Sequence, residues 1–239
     1  MNAIKPPHKI PLSLINDYTL SGRIPVQYRY YDESTISLKK WGKEKIDKAI
    51  NTAIKRMPGN YGPTDNDLYR ALDMFSIDGK DVLVVGSFHP FYEGVALAYH
   101  AKKVIISEYN VPICDDNRIQ YVFIDDISGK FDVIFSISTF EHDGLGRYGD
   151  PLNPNGDIEA MKAVKKLLKD GGMIFLSVPV GADCLSWNAH RIYGKIRLPM
   201  LLDGFDLVWS SVDLNLEKTY GLPIGKFIQP IFVLRLIVE

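Results

Sequence analysis

The chain has 239 residues, a net charge of -1, 46% hydrophobic and 24% charged residues, which is the composition of one ordinary globular α/β domain with its own core. No global field draws it to nucleic acid or to an anionic membrane, and no apolar run approaches the roughly 20 residues of a spanning helix. Two cysteines, Cys114 and Cys184, lack CxxC spacing, so no thiolate metal site is expected and a reducing compartment is the default. The start, Met1 to His8, has no apolar core of signal-peptide length, and the expectation is a soluble, cytoplasmic protein.

Residues 1 to about 35 read as irregular, broken by Pro6, Pro7, Pro11 and Pro25, with a short extended segment around Tyr28, Tyr30 and Tyr31. A helix is predicted from Leu38 to Met57, with Ile46, Ile50, Ala53, Ile54 and Met57 on one face and Pro58-Gly59 as its stop. Thr64 reads as the N-cap of a second helix whose face is Leu68, Ala71, Leu72 and Phe75. Residues 1–77 are therefore expected to form an extension packed on a core of residues 78–239.

That core opens on Asp81–Val85, a short β-branched run closed by Gly86. A helical pattern begins near Tyr92, and a second strand, Lys103–Ser107, ends at Glu108. The third strand is expected over Ile119–Ile124, ending at Asp125-Asp126, and the fourth over Phe131–Ser136, ending in Thr139-Phe140-Glu141-His142. A glycine-rich loop, Asp143 to Pro151, precedes a helix from Asp157 to Lys169, which Asp170-Gly171-Gly172 should end. The fifth strand is Met173–Val178. Val180 to His190 reads as a loop, and Ile192 to Leu202 as partly helical. Phe205–Val212 is a sixth strand, and Phe227–Val238 a long last one interrupted by Pro230. The alternation predicts an α/β, doubly wound, mostly parallel sheet of Rossmann-like form, with the last strand antiparallel.

Ligands of such sheets bind beyond the carboxyl ends of the strands. There stand Gly86 and Ser87; Glu108; Asp125 and Asp126; Thr139, Phe140 and His142; and Asp183. Acids crowded at one rim repel one another, so a polyhydroxyl or cationic ligand would account for them. Asp125-Asp126 also reads as an Asx-turn pair.

The order of parts resembles the class I S-adenosylmethionine-dependent methyltransferases. Val82-Leu-Val-Val-Gly86 is similar to their first motif, and Phe131 to His142 to their fourth-strand motif. Leu167 to Pro179 is similar to their helix-to-fifth-strand motif. The resemblance implies that Glu108 holds a ribose and that Asp125 or Asp126 meets the adenine amino group. Glu141 to Leu152, Val178 to Asp183 and Asn188 to Gly194 are similar to the family called domain of unknown function 268.

The first motif departs from the pattern, because Phe88 and Pro90 stand where two later glycines usually allow close backbone approach. Glu93 could compensate as an acid near the cofactor's amino group. The implied cofactor is S-adenosylmethionine, and the implied acceptor a small or glycan-like molecule. His142 or His190 is the candidate base, since an imidazole titrates near neutral pH. Arg147, Tyr148 and Asp150 lie where acceptor groups would be read. Arg191 either caps the cleft with them or pairs with a surface acid. The rival readings are a cofactor-free binding module, which Phe88 and Pro90 motivate, and a nicotinamide enzyme, against which stands the absence of GxGxxG.

Overall fold

The computed structural model describes residues 5–34, 40–108, 113–123, 126–214 and 217–237. Helix Ile15–Thr19 (α1) and strand Val26–Arg29 (β1) come first. Strand Lys40–Trp41 (β2) and helices Lys43–Ile54 (α2) and Pro63–Met74 (α3) follow. Then come strand Asp81–Val85 (β3), helix Phe91–Ala98 (α4) and strands Lys103–Glu108 (β4), Ile113–Cys114 (β5), Ile119–Phe123 (β6) and Phe131–Ile137 (β7). Helix Gly156–Lys166 (α5) leads into strand Leu168–Ser177 (β8). Strands Val180–Gly181 (β9), Cys184–Asn188 (β10) and His190–Ile192 (β11) precede helix Arg197–Leu201 (α6) and strand Phe205–Ser210 (β12). Helix Glu217–Tyr220 (α7) and strands Phe227–Ile228 (β13) and Phe232–Leu236 (β14) complete the list.

The central sheet has seven strands in the order β12-β14-β8-β7-β3-β4-β6. All neighbours are parallel except β14, which runs antiparallel to both β8 and β12. The apolar runs form strands because both faces are covered. Val82, Val84, Ile106 and Phe135 pack towards α2 and α4, together with Leu68 and Leu72 of α3. Leu83, Ile105, Ile134 and Ile174 pack on the opposite face against Met161 and Val164 of α5 and Leu198 and Leu201 of α6. Gly94 lets α2 approach α4 backbone to backbone, since a Cβ there would stand 2.5 Å from that of Ala49. The chain runs outward from β3 through β4 to β6, then returns to β7 on the other side of β3. The crevice between the ends of β3 and β7 is thus the point where strand order reverses.

Several elements differ from the sequence-based expectation. Leu38 lies outside the described residues, and α2 begins only at Lys43. Lys40–Trp41 instead pairs with Ile113–Cys114 and buries Trp41. The buried face of α2 is Ile46, Ala49 and Ala53, whereas Ile54, the last residue of the helix, and Met57, beyond it, are exposed. Thr64 is not a cap: Pro63 starts α3, and the Thr64 hydroxyl donates to the Gln229 carbonyl at 2.6 Å. Asp65 orders that turn by accepting the N–H groups of Gly59 and Tyr61.

Helix α5 stops at Lys166, and Asp170-Gly171-Gly172 lies inside β8, where the pairing with β7 shifts register. Lys169 there reaches Asp132 at 2.8 Å and Asp81 at 3.2 Å. The stretch from Val180 to His190 is not a loop. It holds β9 and β10 and the start of β11, and β10 pairs in parallel with β1. Only Arg197–Leu201 of the next segment is helical. The expected last strand is two strands: β13 joins β9, and β14 enters the central sheet. No helix among the described residues is long and apolar enough to cross a membrane.

Candidate functional site

Gly86 turns the chain out of β3 at φ +70°, and a Cβ there would lie 2.3 Å from Thr139 Cγ2. Thr139 in turn donates to the Val85 carbonyl at 3.0 Å. The two strand ends are therefore locked together at the crevice, and only glycine fits between them. Glu108, at the tip of β4, accepts the Ser87 N–H at 2.5 Å and so bridges to the neighbouring tip. Ser87 donates its hydroxyl to the His89 carbonyl at 2.9 Å. Phe88 is 57% exposed and turns away from the core, while Pro90 is buried and opens α4. Phe140 is buried beneath the fourth tip, Asp126 is exposed, and Asp125 lies outside the described residues.

Glu93 lies on the first turn of α4 with 0% exposure, and neither of its carboxyl oxygens has a hydrogen-bond partner. Burial pushes its carboxyl up to about 8, and Ser87 holds that rise back in part.

The second half of the site grows from the tip of β7. Ser138, at φ +56°, donates to Glu141 Oε1 at 2.6 Å. Glu141 is 1% exposed and its Oε2 has no partner. Burial pushes this carboxyl up to about 7. His142 lies beside it, with Nε2 at 3.8 Å from Glu141 Oε1. The His142 Nδ1 lies 2.6 Å from the Ala189 carbonyl, which can only accept, so Nδ1 carries the proton and Nε2 is left with its lone pair. Burial, and then Arg147, push this imidazole down to about 3. Burial, and then Arg29, push His190 down to about 4. Burial thus holds both rings below the usual imidazole range.

A chain of flat side chains runs along this cleft. Arg147 lies 4.7 Å from the centre of the Tyr31 ring and 5.0 Å from that of Tyr148. Tyr148 meets His142 edge-on at 5.6 Å, His142 meets His190 at 6.4 Å, and His190 meets Phe227 at 5.2 Å. Arg147 also donates to Glu33 at 3.0 Å and to the Ala189 carbonyl at 3.2 Å. Asn188, fully buried, holds Tyr31 in place by bonding both its N–H and its carbonyl. The segment from Val26 to Ser34 is thereby laid against the loop that carries Arg147.

Two expected site residues do something else. Arg191 is 2% exposed and donates to the carbonyls of Asp143, Asn153 and Pro154, with Asp157 at 3.6 Å. It braces the loop from inside and neither caps the cleft nor pairs on the surface. Asp150 accepts the N–H groups of Gly144, Gly146 and Tyr148 and so shapes the loop. Asp183 is likewise spent on the N–H groups of Gly194, Ile196 and Arg197.

Sequence reasoning passed over Glu33 and Tyr61. Tyr61 is 39% exposed, and burial of its hydroxyl end raises its pKa while Ser138 lowers it and the Glu141 charge raises it further. Nothing local marks Tyr61, because its turn is brought to the cleft by Asp65 and α3.

The sheet order, the glycine turn and the acid at the second tip define a Rossmann-like methyltransferase fold. Residues 79–222 match the family described as Caenorhabditis protein of unknown function, DUF268, and the chain belongs to that family. Among solved structures it is similar to the Burkholderia thailandensis 1,6-didemethyltoxoflavin-N1-methyltransferase, solved with 1,6-didemethyltoxoflavin and S-adenosylhomocysteine bound. The identity is 15% and the TM-score 0.50, over 80% of this chain and 79% of that one. The N-methyltransferase NodS from Bradyrhizobium japonicum WM9 is 16% identical with a TM-score of 0.47, over 73% of this chain and 97% of that one. A candidate hemolysin from Streptococcus thermophilus is 13% identical with a TM-score of 0.46, over 71% of this chain and 64% of that one. The chain therefore spans less than two thirds of the length of that last relative. At these identities it is the fold that is shared. Among curated proteins none matches the sequence.

Proposed function

We propose that this protein is an S-adenosylmethionine-dependent methyltransferase acting on a small, hydroxyl-bearing, glycan-like acceptor. One observation carries the reading. The crevice at the ends of β3 and β7 has one half with Gly86, Ser87 and Glu108 and an aromatic half around a buried carboxyl, Glu141. The cradle at Gly86, which a Cβ would fill, and the bare oxygens of Glu93 fit such a cofactor.

Glu108 would hold the ribose hydroxyls, and Asp125 or Asp126 the adenine amino group. Gly86, Ser87 and Glu93 would take the amino-acid end, with Thr139 and Phe140 closing the floor. The cofactor supplies a methyl group already activated by a positively charged sulfur. What remains for the protein is alignment and, for a hydroxyl acceptor, removal of one proton. The flat faces of Tyr31, Tyr61, Tyr148, His190 and Phe227 suit a ring with apolar faces and polar edges.

Glu141 is the group we assign as proton acceptor, in place of His142 or His190. Its Oε2 is bare, and a carboxyl pushed up to about 7 is matched to work near neutral pH, whereas imidazoles pushed down to about 3 and 4 are weak bases. His142 then orients Glu141 from the side, with its Nδ1–H anchored on Ala189.

Calorimetry with S-adenosylhomocysteine tests the reading. Saturable heat at micromolar to millimolar ligand, reduced in Glu108→Ala, is the expected result. A folded protein that gives no heat at millimolar ligand would remove it.

A further inference from the structure

Glu93 deserves a separate explanation, because a fold gains nothing by burying it. A carboxyl with two bare oxygens and no exposure costs several kcal/mol relative to a packed apolar side chain. No cation lies within hydrogen-bonding reach of it among the described residues. On β6, the phenol oxygen of Tyr121 is also buried and without a partner, and the charge of Glu93 acts on it directly.

The groups facing Glu93 are few. The Ser87 hydroxyl lies beside it, Glu108 of β4 is a like charge, Tyr121 of β6 and Tyr92 of α4 are phenols held above their usual range by burial, the Tyr92 hydroxyl being given to Asp65, and Cys114 of β5 lies next to Tyr121. Helix α2 packs on the same helix at Gly94, and its buried face is Ile46, Ala49 and Ala53. Among the described residues these neighbours bring hydroxyl and carboxyl oxygens and no positive charge to Glu93. The two unpartnered carboxyl oxygens are complementary to a small cation bearing several N–H donors.

We propose that Glu93 is the seat for the ammonium group of an adenosyl amino acid, and that seating this group drives the Glu93 proton into solvent. The inference rests on the methyltransferase reading above and adds to it a residue role and a proton balance. The neutral acid plus the ammonium ion become a carboxylate–ammonium pair plus one released proton, with no other change in charge. Since burial keeps the carboxyl protonated up to about 8, that proton is available to leave near neutral pH. The same assignment accounts for Phe88 and Pro90. A turn with fewer glycines offers less backbone to an amino-acid ligand, and a side-chain carboxyl beneath it takes over that contact.

The experiment is calorimetry of the full chain near neutral pH, in two buffers of different ionisation enthalpy, with two probes. S-Adenosylhomocysteine carries the ammonium; 5′-methylthioadenosine has the same nucleoside without it. The wild type should release most of one proton with the first probe and none with the second. Glu93→Gln keeps the shape of the side chain and its fold is checked by circular dichroism. It should bind S-adenosylhomocysteine about tenfold or more weakly, without proton release, and bind 5′-methylthioadenosine as the wild type does. Binding of S-adenosylhomocysteine by the wild type with no proton released, or an unchanged proton count in Glu93→Gln, overturns the assignment and leaves the methyltransferase reading standing. Absence of heat with both probes overturns both.

Discussion

Asp157 offers the sharpest test of what holds the Asp143 to Pro154 loop together. It lies on α5 with 0% exposure and accepts from Arg197 at 2.6 and 2.9 Å and from the Tyr193 hydroxyl at 2.9 Å, with Arg191 at 3.6 Å. Burial pushes its carboxyl up, but the two arginines and these hydrogen bonds outweigh it and hold the carboxyl below the usual aspartate range. Asp157→Asn removes one negative charge and leaves two guanidinium groups, each 2% exposed, without it. Breaking a buried pair by removing one partner costs about 3–5 kcal/mol. Arg191 keeps its three carbonyl acceptors and Arg197 keeps Pro154, so the lower end, about 3 kcal/mol, is expected.

In urea the midpoint should fall with the slope unchanged, and the melting temperature should drop by about 6–12 °C. Because the folded-state value is depressed, this stabilisation is present above the ordinary aspartate value near 3.8 and is lost as pH falls through the lower folded value. Wild type and variant should therefore converge only in strong acid. A loss under about 1 kcal/mol at neutral pH would refute the idea that this pair organises the loop.

Gly86→Ala forces a side chain into a left-handed backbone and against Thr139, at a cost of about 2–4 kcal/mol in a thermal melt, with loss of S-adenosylhomocysteine binding. An unchanged melt and unchanged binding would show that the crevice has more room than its geometry allows. Glu141 keeps its proton in the folded state up to about 7, whereas the unfolded chain gives it up near 4.5, so folding stability should decline by about 3 kcal/mol as pH rises across that window. Glu141→Gln should flatten the decline in urea midpoints measured across the same range, and identical slopes in the two proteins would count against it. His142 behaves in the opposite sense. It is neutral in the folded state down to about 3, so the stability present above 6.5 erodes as pH falls towards that value, and His142→Gln should blunt this acid sensitivity.

The parts of the fold that sequence reading recovers are those whose physics is local. Asp81–Val85 and Phe131–Ile137 are buried on both faces over most of their length, so they appear as mostly apolar runs, each followed by a residue at positive φ. Cys184–Asn188 is also buried at every position, but its partner strand is Val26–Arg29, far upstream, and nothing in the run reveals that pairing. Arg191 illustrates the same limit. Whether an arginine faces solvent or the core depends on carbonyls at Asp143, Asn153 and Pro154, which only the folded loop brings to it. Gly86, Ser87 and Glu108 could be placed at strand tips because a βαβ unit fixes where those tips lie. Tyr31, Glu33 and Tyr61 come from segments before the sheet begins, and no rule of spacing points from them to the crevice.

Strand β14 carries a consequence for the order of assembly. It wedges between β8 and β12, with Phe232, Val233 and Leu234 wholly enclosed, and among the described residues β12 has no other sheet neighbour. During synthesis β12 leaves the ribosome before the strand that will hold it, and it must wait with both edges bare. A fragment trimmed to the family match at residue 222 would remain in that waiting state and should form fibrils or precipitates where the intact chain stays dispersed.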